Sequence, residues 1–128
     1  MARSLPRPTD SELAILRVLW RGPSTVRQVH EALSGARDTG YTTTLKLMQI
    51  MAEKGLVTRD ESSRTHVYSA RVSRDVTQRQ LVTDLLDRAF GGSAAALVLQ
   101  ALSAQPASPK ELAEIQRLIV EYKERRGL

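Results

Sequence analysis

A chain of 128 residues with 41% apolar content is the size of one ordinary domain or two small cooperating lobes. It has no cysteine, no run of about 18 apolar residues, and no apolar signal core in "MARSLPRPTD", which argues against disulfides, thiolate metal sites, membrane spans and secretion. Its charge is +5, concentrated in the first part: 11 basic and 7 acidic residues up to Val72, against 8 and 7 beyond. A cytoplasmic protein is expected, and the basic first part suits either a nucleic-acid partner or ordinary solubility.

The first element is "TDSELAILRVLW". Thr9 and Glu12 have the spacing of a capping box. Leu13, Leu16 and Trp20 line one face, with Ile15 and Leu19 beside them, and the helix ends at a Gly-Pro break. "TVRQVHEALSG" repeats Val26, Val29 and Leu33 at helical spacing and stops at Gly35, and "ARDTG" reads as a turn. A third helix runs from Tyr41 to Lys54 and ends at Gly55, a glycine suited to the left-handed position after a helix. Segments 56–59 and 66–70 then read as short strands around a polar turn at 60–64. Three short helices followed by a hairpin predict a winged helix-turn-helix.

From Ser73 the chain becomes almost wholly helical. Ser73 can cap a fourth helix with Val82, Leu85, Leu86, Ala89 and Phe90 on one side, ending at Gly91-Gly92. "SAAALVLQALSA", which contains Leu97, is a short apolar helix. The last helix opens with Ser108 as N-cap, Pro109 at N1 and Glu111 at N3, and carries a stripe of Leu112, Ile115, Leu118, Ile119 and Tyr122. Three helices over roughly 55 residues enclose so much apolar surface poorly. A second copy would cover it, so Val82, Leu85, Leu86, Phe90, Leu97, Leu112, Ile115, Leu118 and Ile119 are the expected dimer contacts. The expected fold is mainly α: a winged-helix DNA-binding domain over 1–72 and a three-helix dimerisation region over 73–128.

The third helix carries the most specific signal. Thr44, Leu47, Met48 and Met51 fall on its core side, with Leu45 and Ala52 at the edge. Thr42, Thr43, Lys46, Gln49, Ile50 and Glu53 fall outward. In a helix-turn-helix the start of this helix enters the major groove. Threonine hydroxyls pair with several base edges, Gln49 suits adenine, and Lys46 suits guanine or a phosphate. Thr44 is expected in the core, while Thr42, Thr43 and Lys46 are expected to contact DNA. Tyr41 either donates its hydroxyl to a phosphate or packs as a staple at the helix start. The hairpin offers Arg59, Arg64 and His66 to a backbone or minor groove, with Arg64 the principal contact and His66 open between DNA and solvent.

Sites for catalysis are not apparent. His30 and His66 are the only histidines, and His30 reads as a core-edge residue. No Gly-x-Ser-x-Gly elbow, Gly-rich phosphate loop or His-Glu-x-x-His pair is present. Neither an enzyme, nor a metal, nor a small-molecule cofactor is expected. A protein-interaction module and a nonspecific nucleic-acid binder are the alternatives to a sequence-reading DNA-binding protein.

"STVRQVHEALS", "GYTTTLKLMQIMAEKGLVTRDESSRTHVYSA" and "FGGSAAALVLQAL" resemble the penicillinase-repressor family, the BlaI/MecI type with its CopY branch. The likeness runs from about Pro8 to Ile119 and is most specific at the Tyr-Thr-Thr helix start, the Glu-Lys-Gly-Leu helix end, the wing and the Phe-x-Gly-Ser segment. It implies a homodimeric bacterial repressor on double-stranded, dyad-symmetric operators, relieved when a membrane metalloprotease sensor of the BlaR/MecR type cuts it. Well-studied members are cut at an Asn-Phe bond, where this chain has Gln100-Ala101. The thiolate cluster of the copper-sensing branch has no counterpart, since cysteine is absent. Many members also carry a basic residue in place of Ile50 and a small polar one in place of Lys46, which implies a different operator sequence.

Overall fold

The computed structural model describes residues 7–35 and 40–128. Its elements are α1 (Asp10–Leu19), α2 (Val26–Leu33), α3 (Tyr41–Lys54), β1 (Val57–Asp60), β2 (Val67–Ala70), α4 (Arg74–Ala89), α5 (Ala94–Ala104) and α6 (Pro109–Arg126). This is the mainly helical, winged-helix order expected. The turn expected over 36–40 lies, Gly40 apart, outside the described residues. The chain divides into two compact units, one reaching to Thr83 and the other running from Asp84 to Leu128.

Local chemistry sets the boundaries of the first unit. Thr9 accepts from the Glu12 amide while Glu12 accepts from the Thr9 amide, and Thr25 and Gln28 repeat this box at the start of α2. Gly55, at φ 85°, closes α3: its amide bonds to the Ala52 carbonyl and the Leu56 amide to that of Met51. That second bond ties Leu56 to the helix end, so the first strand begins at Val57, one residue later than expected. The second strand likewise begins at Val67, and the antiparallel register runs from Val57 opposite Ala70 to Asp60 opposite Val67. On its other edge β2 is bridged by Ser24, with amide-to-carbonyl bonds in both directions to Tyr68. The linker between α1 and α2 is thereby fastened to the wing.

Ile15, Leu16 and Leu19 of α1 close the core with Val29 of α2, Met48 and Met51 of α3, and Leu56, Val57 and Tyr68 of the hairpin region. Glu12 is buried with them, and its carboxylate takes the Lys54 ammonium at 2.8 Å. Burial pushes the Glu12 pKa up. Bonds from Lys54 and Thr9 outweigh this and hold it below the ordinary value. The ion pair joins the start of α1 to the end of α3, which steadies the axis of α3. The unit reaches past Val72 because Thr77 of α4 is buried and the Trp20 indole N–H donates to the Val72 carbonyl at 2.9 Å.

The second unit is built differently. Ser93 and Ser108 cap α5 and α6 by accepting the Ala96 and Glu111 amides. Yet no residue from Asp84 to Leu128 is buried. Among the expected dimer residues of this unit, Leu85, Leu112, Leu118 and Ile119 are exposed, while Leu86, Phe90, Leu97 and Ile115 are half-buried. Val82, in the first unit, is exposed too.

Candidate nucleic-acid interface

Helix α3 presents two outward sides, because successive residues rotate by about 100°. Thr44 is buried and its hydroxyl donates to the Gly40 carbonyl, so it belongs to the core, as expected. Thr42, Thr43, Lys46 and Gln49 are all exposed. Gly40, at the N-cap, has no side chain to cap the helix, so among the described residues no side-chain cap takes the first amide groups of α3. Such a helix start favours a phosphate oxygen.

A cleft of about 540 Å³ separates the wing from the start of α2 and from the side of α3 that runs from Tyr41 to Gln49. Four of the expected residues line it: Tyr41, Gln49, Arg64 and His66. Arg27 and Arg59 join them, and no carboxylate lines the cleft among the described residues. Thr42 and Lys46 do not line it. They lie beyond Gln49 on the exposed face of α3, so cleft and helix face form neighbouring surfaces. Thr43 turns the other way and lines a recess of about 90 Å³ with His30 and Leu47.

Arg27 was not expected from the sequence. Its guanidinium lies 5.2 Å from the centre of the Tyr41 ring, which also meets His30 edge-on at 5.9 Å. The Tyr41 ring therefore acts as a packing bracket between α2 and α3. Only the spacing between two separate helices brings Arg27 to this place, and no local motif announces it. Half-buried His30 stands at the core edge, as its sequence position suggested.

Arg59, which the sequence offered without singling out, is fixed more firmly than Arg64. The Tyr68 side chain and the Glu61 carboxylate, at 2.8 Å, bond its guanidinium and raise its pKa. In the wing tip, the Ser62 hydroxyl and amide hold the Asp60 carboxylate below its ordinary pKa. That local turn shapes the loop carrying Arg64. Arg64 itself is exposed and has no carboxylate partner among the described residues.

The penicillinase repressor family model matches residues 8–121. The chain belongs to that family. It is 43% identical over 98 residues to the transcriptional regulator BlaI of Mycobacterium tuberculosis, across 73% of this chain and 71% of that protein. It is 22% identical over 125 residues to the penicillinase repressor of Bacillus licheniformis, across 97% and 98% of the two chains. The solution structure of the DNA-binding domain of the repressor BlaI matches with a TM-score of 0.50 at 20% identity, covering 57% of this chain and 90% of that one. This match supports the winged-helix fold. The protein is thus a bacterial transcriptional repressor of the winged-helix type and not an enzyme.

Proposed function

We propose that the protein represses transcription as a homodimer that reads a dyad-symmetric operator. The observation that carries this reading is the cleft beside the exposed start of α3, lined by Arg27, Arg59 and Arg64 and, among the described residues, by no carboxylate. Thr42, Lys46 and Gln49 read base edges in a major groove, while Thr43 contacts the flank of the site. Arg64, with His66, meets the backbone beside the wing, and Arg27 and Arg59 add phosphate contacts. Tyr41 positions Arg27 and turns its exposed edge to the same backbone. Dimer symmetry sets the half-sites roughly 10 bp or a multiple apart.

The division of labour is DNA binding in residues 1–72 and dimerisation in 73–128. Val82, Leu85, Leu86, Phe90, Leu97, Leu112, Ile115, Leu118 and Ile119 meet a second copy. No single helix among the described residues is long and apolar enough to cross a membrane. A cytoplasmic regulator acting on DNA accords with that. Cleavage near Gln100 and Ala101 by a membrane metalloprotease sensor relieves repression by removing part of the dimer face. Both residues are exposed on α5, and a protease reaches the bond after that helix unwinds locally. A chain ending at Leu99 is expected to lose dimerisation and operator affinity together. If it dimerised and bound DNA normally, the proteolytic part of the proposal would fail.

Fluorescence anisotropy tests the reading of DNA, with the duplex upstream of the protein's own gene compared with a scrambled duplex at about 150 mM salt. A preference of about 10³-fold, lost in Thr42→Ala/Lys46→Ala/Gln49→Ala, is expected. Equal and salt-steep binding to that duplex, to other intergenic duplexes and to scrambled DNA would mark a nonspecific binder.

A further inference from the structure

A second cationic cleft, of about 500 Å³, lies between α1 and the first half of α4 within the first unit. Arg17, Arg21 and Arg74 line it together with Trp20, Leu13 and Leu81. None of the three arginines forms an ion pair with a carboxylate among the described residues, and the Arg74 guanidinium lies 5.9 Å from the centre of the Trp20 ring. Arg74 is also the first residue of α4. A cation at that end of α4 opposes its dipole, while Arg17, in the last turn of α1, and Arg21, just past its end, sit where a dipole favours cations, so what the three guanidiniums lining the cleft share is their mutual repulsion. An anion would relieve that repulsion, and the apolar walls ask for more than a bare ion.

The cleft is separate from the DNA surface. On α1, Ser11 and Ile15 face the recess shared with α2 and α3, whereas Leu13 and Arg17 line this cleft. At 100° per residue the two sides of α1 are more than a quarter turn apart. The two cationic clefts share no lining residue. Operator DNA seated on α3 does not account for these arginines.

We infer that this cleft binds a small amphiphilic organic anion, an apolar body carrying one carboxylate or phosphate. The anionic group sits on Arg17, Arg21 and Arg74, and the apolar body lies against Leu13, Trp20 and Leu81. The volume is within the range of ordinary ligand sites, about 300–1,000 Å³. None of the residues assigned to DNA lines this cleft, so anion binding here does not depend on operator reading.

Trp20 is the only tryptophan in the chain, so its emission reports on the cleft directly. The test titrates the full chain with 1-naphthoate, 1-naphthyl phosphate and the uncharged 1-naphthamide, following Trp20 fluorescence. The expected result is a saturable change with at least one of the two anions, at least tenfold weaker with the amide. Arg17→Gln/Arg74→Gln should weaken anion binding at least tenfold, and Gln78→Glu, which adds a carboxylate at the cleft wall, should do the same without touching the arginines. Circular dichroism melts identify a variant that fails to fold, in which case the other decides. Arg64→Gln should bind the anions as the parent does. No saturable change up to about 1 mM (a binding free energy near −4 kcal/mol), equal response to amide and anions, or full binding in a folded cleft variant would overturn the inference. Saturation by an acidic peptide with no response to either naphthyl anion would also overturn it, in favour of a protein partner.

Discussion

Up to Thr83 the chain seals Ile15, Leu16, Val29, Met48, Met51 and Tyr68 away from water, whereas from Asp84 onward it buries no residue at all. Both parts have well-capped helices. The contrast separates two requirements that are often run together: caps and propensity make helices, but only packing against a second surface makes a stable unit. The first unit finds that surface within itself, through α1, α2, α3 and the hairpin. The second carries Val98, Leu99, Leu118, Ile119 and Val120 about half or more exposed, an unusual load for a region with no core of its own. Its stability should therefore depend on protein concentration, and that of the first unit should not.

The two units should differ most in their response to substitutions on the C-terminal stripe. Leu118→Arg/Ile119→Arg is expected to abolish dimerisation and lower operator affinity by about 10³-fold, since two linked half-site contacts become one. Binding of the isolated half-site should change little in the same titration. Next in size is Leu16→Ala, which opens a cavity in the first unit. It should cost about 3 kcal/mol in chemical denaturation, with a midpoint independent of protein concentration.

A smaller effect is expected from Lys54→Ala, about 2 kcal/mol, because the buried Glu12 carboxylate loses its cation. This pair also sets a pH dependence. The folded pKa of Glu12 lies below its ordinary value of 4.5, so its contribution is complete above that value and disappears as pH falls through the folded pKa. Acid denaturation curves should show the parent losing more stability than Glu12→Gln on acidification below pH 4.5. The smallest effect belongs to Arg64→Ala, less than about tenfold in affinity, with the salt slope reduced by about one phosphate. A change of operator preference in that variant would instead make Arg64 a reader of bases.

What the sequence made legible follows the range of each interaction. The Thr9–Glu12 box, the Ser108-Pro109 start and the Gly55 stop are written within a few residues, and periodicity separates Thr44 and Met48 from Thr42 and Lys46. Gly55 also marked the end of α3, but nothing nearby said that Leu56 would complete the cap instead of opening the strand. Three further features depend on partners far apart in the chain: Arg27 over Tyr41, Lys54 on Glu12, and Ser24 bridging Tyr68. No periodic pattern encodes those meetings. Of the candidate site, the face of α3 and the wing arginines were readable, while the cleft joining them to Arg27 needed the fold. Thr43 shows the limit from the other direction, because exposure alone does not say which neighbouring surface a side chain serves.

We propose that the residues beyond Asp84 are completed by a second copy of the chain. Sedimentation equilibrium of the full chain, beside the Leu118→Arg/Ile119→Arg variant, decides between a paired and a solitary second unit. Twice the 14.2 kDa chain mass is expected at about 10 μM, and the single-chain mass for the variant. A parent chain that stays at 14.2 kDa at every concentration, with slowly exchanging amides in α5 and α6, would contradict it.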